Sequence, residues 1–158
     1  MPSQLLIDSS KHLAEKKLTI AFVESATAGR LAAEFSMSPQ SGTILMGGLV
    51  CYDARVKERI LGIPKEFIEK YTPESKEVTK ALAEKFRNFI DADVHVAVTG
   101  LTTPGGSETP EKPVGTMFVH LLFKEDSIPV RKTFKGAPED IVLQTIDQVA
   151  QLILEKVK

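Results

Sequence analysis

Three short apolar runs, separated by amphipathic segments, constrain this chain more than any other feature. LTIAFV (Leu18–Val23), TILMGGLVCYD (Thr43–Asp53) and VHVAVTG (Val94–Gly100) each read as a buried strand. Between them, TAGRLAAEFSM and ARVKERILG favour helix, the second ended by Gly62. A longer helix is expected from Pro73-Glu74-Ser75 to about Ile90, with Val78, Leu82, Phe86 and Phe89 on one side. Strands that alternate with helices pair in parallel and are covered on both faces. The Gly47-Gly48 pair inside the second run suggests a bulge or a close backbone approach.

The rest of the chain completes an α/β pattern. Residues 3 to 16 have helical spacing, and IPKEFIEKY adds a further turn or two. TMFVHLLF and IPVRKTFKG are close in sequence and read as an antiparallel hairpin. Residues 138 to 157 form a closing helix with Ile141, Ile146, Val149, Leu152 and Ile153 inward. The expected order is α-β-α-β-α-α-β-β-β-α, in one domain spanning residues 1 to 158.

Composition narrows the function classes. The 158 residues, 42% hydrophobic and 26% charged, suit one globular domain with a full core. A net charge of -1 gives no global attraction to nucleic acid or to an anionic membrane. One cysteine, Cys51, excludes an intrachain disulfide, and three scattered histidines offer no structural zinc site. His95 and His120 alternate with apolar residues and read as structural. The amphipathic N-terminus is unlike a signal peptide, and no run is long enough to span a bilayer, which points to a cytoplasmic protein.

Ligands of open α/β sheets bind beyond the carboxyl ends of the strands. Three segments leave such ends: Glu24 to Gly29, Tyr52 to Lys57, and Thr99 to Gly115. If the strands are parallel, these segments meet on one rim. The last is dense in Gly, Pro and Thr and reads as a long ordered loop, a common carrier of function. Ser25 has two readings: a helix cap, which serine often is, or a nucleophile. Free N–H groups of the following helix would then favour an anion. No histidine falls on the rim, so a Ser-His-Asp triad is disfavoured. Lysine can serve as the base when burial lowers its pKa, and Lys57 is the rim lysine placed for this. Lys57 also reads as a solvated helix residue. Tyr52 reads either as a packing residue or as a proton relay. Residue patterns alone give a rim pocket for a small polar ligand, without a reaction.

Four stretches, in order, resemble one family: ESATAG, GGLVCYDARVKERILGI, TGLTTPGGSETPEKPVGT and FKG. The sequence is similar to the CinA C-terminal domain, the nicotinamide-nucleotide amidohydrolase family of competence/damage-inducible proteins. The resemblance covers nearly the whole chain. It implies a three-layer α/β/α sandwich with a five-stranded mixed, mostly parallel sheet. It also implies hydrolysis of the carboxamide of nicotinamide mononucleotide to nicotinate mononucleotide and ammonia, with no metal or cofactor.

By the same resemblance Ser25 matches the nucleophile, Lys57 the general base and Tyr52 a supporting hydroxyl. Glu24, Thr27, Gly29, Gly48, Thr99, Gly100, Thr102, Thr103, Gly105, Gly106 and Lys112 are expected around the substrate. A homodimer is expected, and the pyrophosphatase module often fused ahead of this domain is not. The chain departs from the family pattern at Ala26 and Ala28, at Leu101-Thr102-Thr103, and at Ala137-Pro138, where an arginine is replaced. Ala28 stands where a glycine can take positive φ. These departures leave a second reading open: a degenerate domain that binds a nucleotide-like ligand or acts as a regulatory module.

Overall fold

Five residues at the centre of the sheet, Ile20–Glu24 (β1), are buried along their whole length. Ile20 and Phe22 face one layer of helices, while Ala21 and Val23 face the other. This is why the run is apolar throughout rather than alternating. The computed structural model describes residues 1–158. Around β1 the chain forms α1 (Gln4–Glu15), α2 (Arg30–Ser36), α3 (Ser41–Ile44), β2 (Leu45–Val50), α4 (Ala54–Leu61), α5 (Lys65–Tyr71) and α6 (Lys76–Arg87). It continues through β3 (Val94–Gly100), β4 (Thr116–Phe123), β5 (Asp126–Thr133) and α7 (Pro138–Lys156).

The sheet has five strands in the order β2-β1-β3-β4-β5. β1 pairs in parallel with both β2 and β3, whereas β3–β4 and β4–β5 are antiparallel. The chain therefore reverses its winding at β1, and the crevice between the ends of β1 and β3 is a topological switch point. On one face α1, α2 and α7 pack Leu6, Leu13, Phe35 and Ile153 against Phe22, Val96 and Val119. On the other, Val78, Leu82 and Phe86 of α6 cover Val23, Ala97 and Leu122. Each fully buried side chain of this kind contributes about 1.5–3 kcal/mol.

The expected α/β/α architecture is present, with local differences. Thr43 and Ile44 belong to the short helix α3, not to a strand; Thr43 N–H bonds Gln40 O at 3.0 Å and closes the turn instead. β2 then ends at Val50, so Cys51 to Asp53 form a connector. The register slips between Ile20–Leu45 and Ala21–Gly47, which is the bulge that the double glycine suggested. α6 ends at Arg87, and Phe89 lies beyond it, exposed.

Two predictions follow from the packing at the β4–β5 hairpin. Gly115 has φ 98°, and a Cβ there would collide with the Phe134 carbonyl. Gly115→Ala is expected to cost more than about 1 kcal/mol in urea unfolding. His120 is buried, its Nε2 2.7 Å from Ser127 Oγ. Burial, and then Lys80 and Lys76, hold its pKa down to about 4 from 6.5. Between those values the unfolded chain takes a proton that the folded protein refuses. Stability should therefore fall as pH drops from 6.5 toward 4, by up to about 3 kcal/mol. His120→Gln should flatten that fall in unfolding midpoints measured at both ends of the window.

Candidate active site

The carboxylate of Glu24 ends β1 inside the protein, at 1% exposure. Its Oε2 accepts from Thr27 Oγ1 at 2.6 Å and from the N–H groups of Gly29 and Leu31 at 3.0 Å. Its Oε1 accepts from Ala32 N–H at 2.8 Å. A buried carboxylate is tolerated only when so satisfied, and here it supplies the N-terminal cap that α2 lacks from Gly29. This corrects two expectations. Ser25 is not the helix cap, since α2 starts only at Arg30. Nor are the first amides of α2 open to an anion; Glu24 holds them. Glu24, Thr27 and Gly29, expected around the substrate, instead hold the turn that presents Ser25.

Ser25 is buried, and its N–H bonds Val98 O of β3 at 2.9 Å. Its hydroxyl accepts from Lys57 Nζ at 3.0 Å. Lys57 is not solvated: it is 1% exposed, on a helix capped by Asp53 through a 2.8 Å bond from Arg55 N–H. The other acceptors of its Nζ are the carbonyls of Cys51 at 2.7 Å and Tyr52 at 3.3 Å. Cys51 N–H in turn bonds Glu24 O at 2.7 Å, tying this connector to β1. Burial lowers the Lys57 pKa, and the nearby Cys51, Glu74 and Asp53 oppose that only in part. Tyr52 differs from expectation. Its ring is exposed at the mouth of the cleft, and its carbonyl, not its hydroxyl, meets the lysine.

Ser25, Ala26 and Tyr52 form one side of a cleft of about 230 Å³. Gly100, Thr102, Thr103, Gly105 and Gly106 form the other side, with Glu74 at the end. Thr99 lies beneath rather than in the cleft; it is fully buried, and its hydroxyl is 2.8 Å from that of Thr79. Gly48 is also elsewhere. It sits in β2 opposite Phe22, where a Cβ would lie 3.0 Å from the Phe22 carbonyl oxygen, so its role is to let the backbones of β2 and β1 come close. Lys112 likewise does not line the cleft. Its Nζ donates to Thr72 Oγ1 at 2.7 Å and to Glu74 O and Ser107 Oγ at 2.8 Å. Ser107 Oγ reaches Glu74 Oε2 at 2.5 Å. Lys112 thus fastens the loop to the α5–α6 connector. Glu74 is the cleft residue that sequence reasoning passed over; its place just before a helix was the only signal.

These features define an open α/β sheet with a buried serine–lysine pair at its switch point. The CinA C-terminal domain family matches residues 3–157. A CinA-like protein of Akkermansia muciniphila is 40% identical over 113 residues, covering 72% of this chain and 27% of that protein. One of Thermotoga neapolitana is 36% identical over 124 residues, covering 78% of this chain and 30% of that protein. The chain therefore spans about a third of the length of such relatives. The crystal structure of a CinA superfamily protein from Escherichia coli superposes with a TM-score of 0.86 at 26% identity, covering 95% of this chain and 88% of that one. That of competence damage-inducible protein A from Klebsiella pneumoniae has a TM-score of 0.91 at 22% identity, with 98% and 95% covered, and shares the fold. The chain belongs to the CinA C-terminal domain family.

The turn that presents Ser25 carries a cost. Ala28 adopts φ 48°, a left-handed conformation that an alanine takes at a penalty of about 1 kcal/mol. Ala28→Gly is expected to raise the thermal midpoint by up to a few degrees. Glu24→Ala should do the reverse and more strongly, about 3 kcal/mol, because several donors lose a charged acceptor at once. Hydrogen exchange should localise that loss to residues 25–32.

Proposed function

We propose that the chain is a nicotinamide-nucleotide amidohydrolase that converts nicotinamide mononucleotide to nicotinate mononucleotide and ammonia. The single observation that carries this reading is the buried 3.0 Å contact between Ser25 Oγ and Lys57 Nζ. The substrate class follows from the resemblance of the sequence motifs to that amidohydrolase family. A lysine whose pKa is lowered by burial can hold a neutral amine. Its two N–H bonds then point to the Cys51 and Tyr52 carbonyls, leaving the lone pair directed at the Ser25 hydroxyl.

Lys57 takes the Ser25 proton as Oγ attacks the carboxamide carbon. The tetrahedral oxyanion needs donors other than the first amides of α2. The N–H of Ala26, next after the nucleophile, has no protein acceptor and borders the cleft. The protonated Lys57 gives its proton to the departing nitrogen, which leaves as ammonia. Water then attacks the acyl ester with Lys57 as base, releasing the carboxylate and restoring Ser25.

Ammonia release from nicotinamide mononucleotide tests this. Wild type should release it, and both Ser25→Ala and Lys57→Met should lose at least about 10³-fold in kcat. The kcat of wild type should rise with pH along a limb that lies below the titration of a free lysine, and fall as Lys57 is protonated. No release above blank from wild type overturns the assignment. The side chains of Leu101, Thr102 and Thr103 border the same cleft and favour the second reading, ligand binding without turnover. Its signature is tight binding of the nucleotide with no ammonia formed.

A further inference from the structure

The Ser25 cleft, at about 230 Å³, is smaller than the roughly 300–1,000 Å³ of sites that enclose a whole drug-sized ligand. A nucleotide with its amide at Ser25 therefore extends past this cleft. Glu74 lines this cleft and also a larger groove of about 500 Å³. The groove lies between the start of α6 and the β4–β5 hairpin, over Phe118, His120 and Pro129. Its cations are Lys76, Lys112 and Arg131, against the carboxylates of Glu74 and Glu77.

These charged groups are not equivalent. Lys112 is engaged by three protein acceptors, and Glu74 accepts from Ser107. His120 is neutral near pH 7, with its pKa at about 4. Arg131 donates one amino group to the Glu111 carbonyl, and its guanidinium lies 5.5 Å from the centre of the Phe118 ring. It is thereby held in the groove while staying exposed. Lys76 is exposed at the first position of α6, where the helix adds its positive end. Lys76 and Arg131, neither of them in an ion pair nor engaged as fully as Lys112, thus border a groove that shares the wall residue Glu74 with the cleft.

We propose that this groove is the second half of the ligand site. Arg131 and Lys76 bind the phosphate monoester of the substrate there, while its amide lies at Ser25. The inference rests on the amidohydrolase reading for the identity of the ligand but not for the groove's affinity.

Two experiments separate these. The first titrates the Ser25→Ala protein with ribose 5-phosphate, which has the phosphate and lacks the amide, and follows backbone amides by NMR. Shifts are expected at Lys76, Glu77 and Arg131. The Lys76→Gln/Arg131→Gln double variant should bind about tenfold more weakly or worse, the loss of roughly one charge-assisted hydrogen bond. Lys11→Ala, an exposed lysine on α1, should bind as the parent does. No shift at the groove residues, or undiminished binding by the double variant, overturns the proposal. The second experiment compares kcat/KM for nicotinamide mononucleotide with that for its dephosphorylated nucleoside. The preference for the phosphorylated substrate should fall about tenfold in the double variant, mostly through KM; an unchanged preference overturns the proposal. If wild type releases no ammonia from either substrate, the amidohydrolase reading fails, and the titration alone decides the groove.

Discussion

The Glu24 carboxylate is the contact on which the rest of the site depends. It sits at the end of the central strand and takes the first amides of α2. The chain between strand and helix is therefore a tight turn rather than a helical start, and Ser25 projects from it into the crevice. The same residue's backbone carbonyl holds Cys51 N–H. That bond fixes where β2 hands over to α4, and so where Lys57 enters. Remove the carboxylate and the positive end of α2 lies open beside Ser25, a different electrostatic site. With it in place, any anion formed at Ser25 has to be stabilised by the turn itself and by the facing loop.

Lys57 shows how packing sets a pKa. In water its ammonium would be fully hydrated; here hydration is replaced by one hydroxyl and two carbonyls. None of these carries a charge, so the cost of burying the ammonium is only partly offset. That imbalance is what lowers the pKa, and it makes the neutral amine accessible. The acceptors suit both states. Three N–H bonds satisfy the ammonium, while the amine keeps two and turns its lone pair to serine. A carboxylate in place of either carbonyl would keep the lysine charged and inert as a base.

Much of this was legible in the sequence. Apolar runs marked the strands because β1 and β3 are buried on both faces, and Gly/Pro density marked the loop because no repeating backbone pattern tolerates it. The three rim segments meet as the parallel pairing requires. What escaped was set by partners distant in sequence. Nothing near Glu24 indicates that its carboxylate will curl onto amides up to eight residues ahead. Lys112 is expected around the substrate by resemblance, yet its acceptors include Thr72 and Glu74, some 40 residues away. Thr43 and Ile44 favour strand by side chain, but the turn begun at Gln40 captures them. Gly48 is expected at the site by resemblance, whereas the fold uses it to bring the backbone of β2 close to the Phe22 carbonyl of β1.

Two turns next to cleft residues are built on the same principle. Ala28, three residues after Ser25, is held at φ 48°, and Thr72, two residues before Glu74, at φ 70°. For a β-branched residue the second is a true outlier, and each such residue costs of order 1–3 kcal/mol. Strain of this kind persists only where neighbours over-determine the backbone. Beside Ala28 that neighbour is the Glu24 carboxylate with its ring of donors. Beside Thr72 it is the Lys112 ammonium with its ring of acceptors, reinforced by the bond from Ser75 Oγ to Thr72 O at 2.9 Å. The positive-φ non-glycine residues elsewhere, Lys17 and Lys124, lie at ordinary turns after α1 and between β4 and β5. A buried or half-buried charge, fully satisfied by hydrogen bonds, therefore clamps each of these strained turns. Such clamps oppose the relaxation that would widen the cleft and separate serine from lysine, and this is the form that preorganisation takes in a site built from short turns.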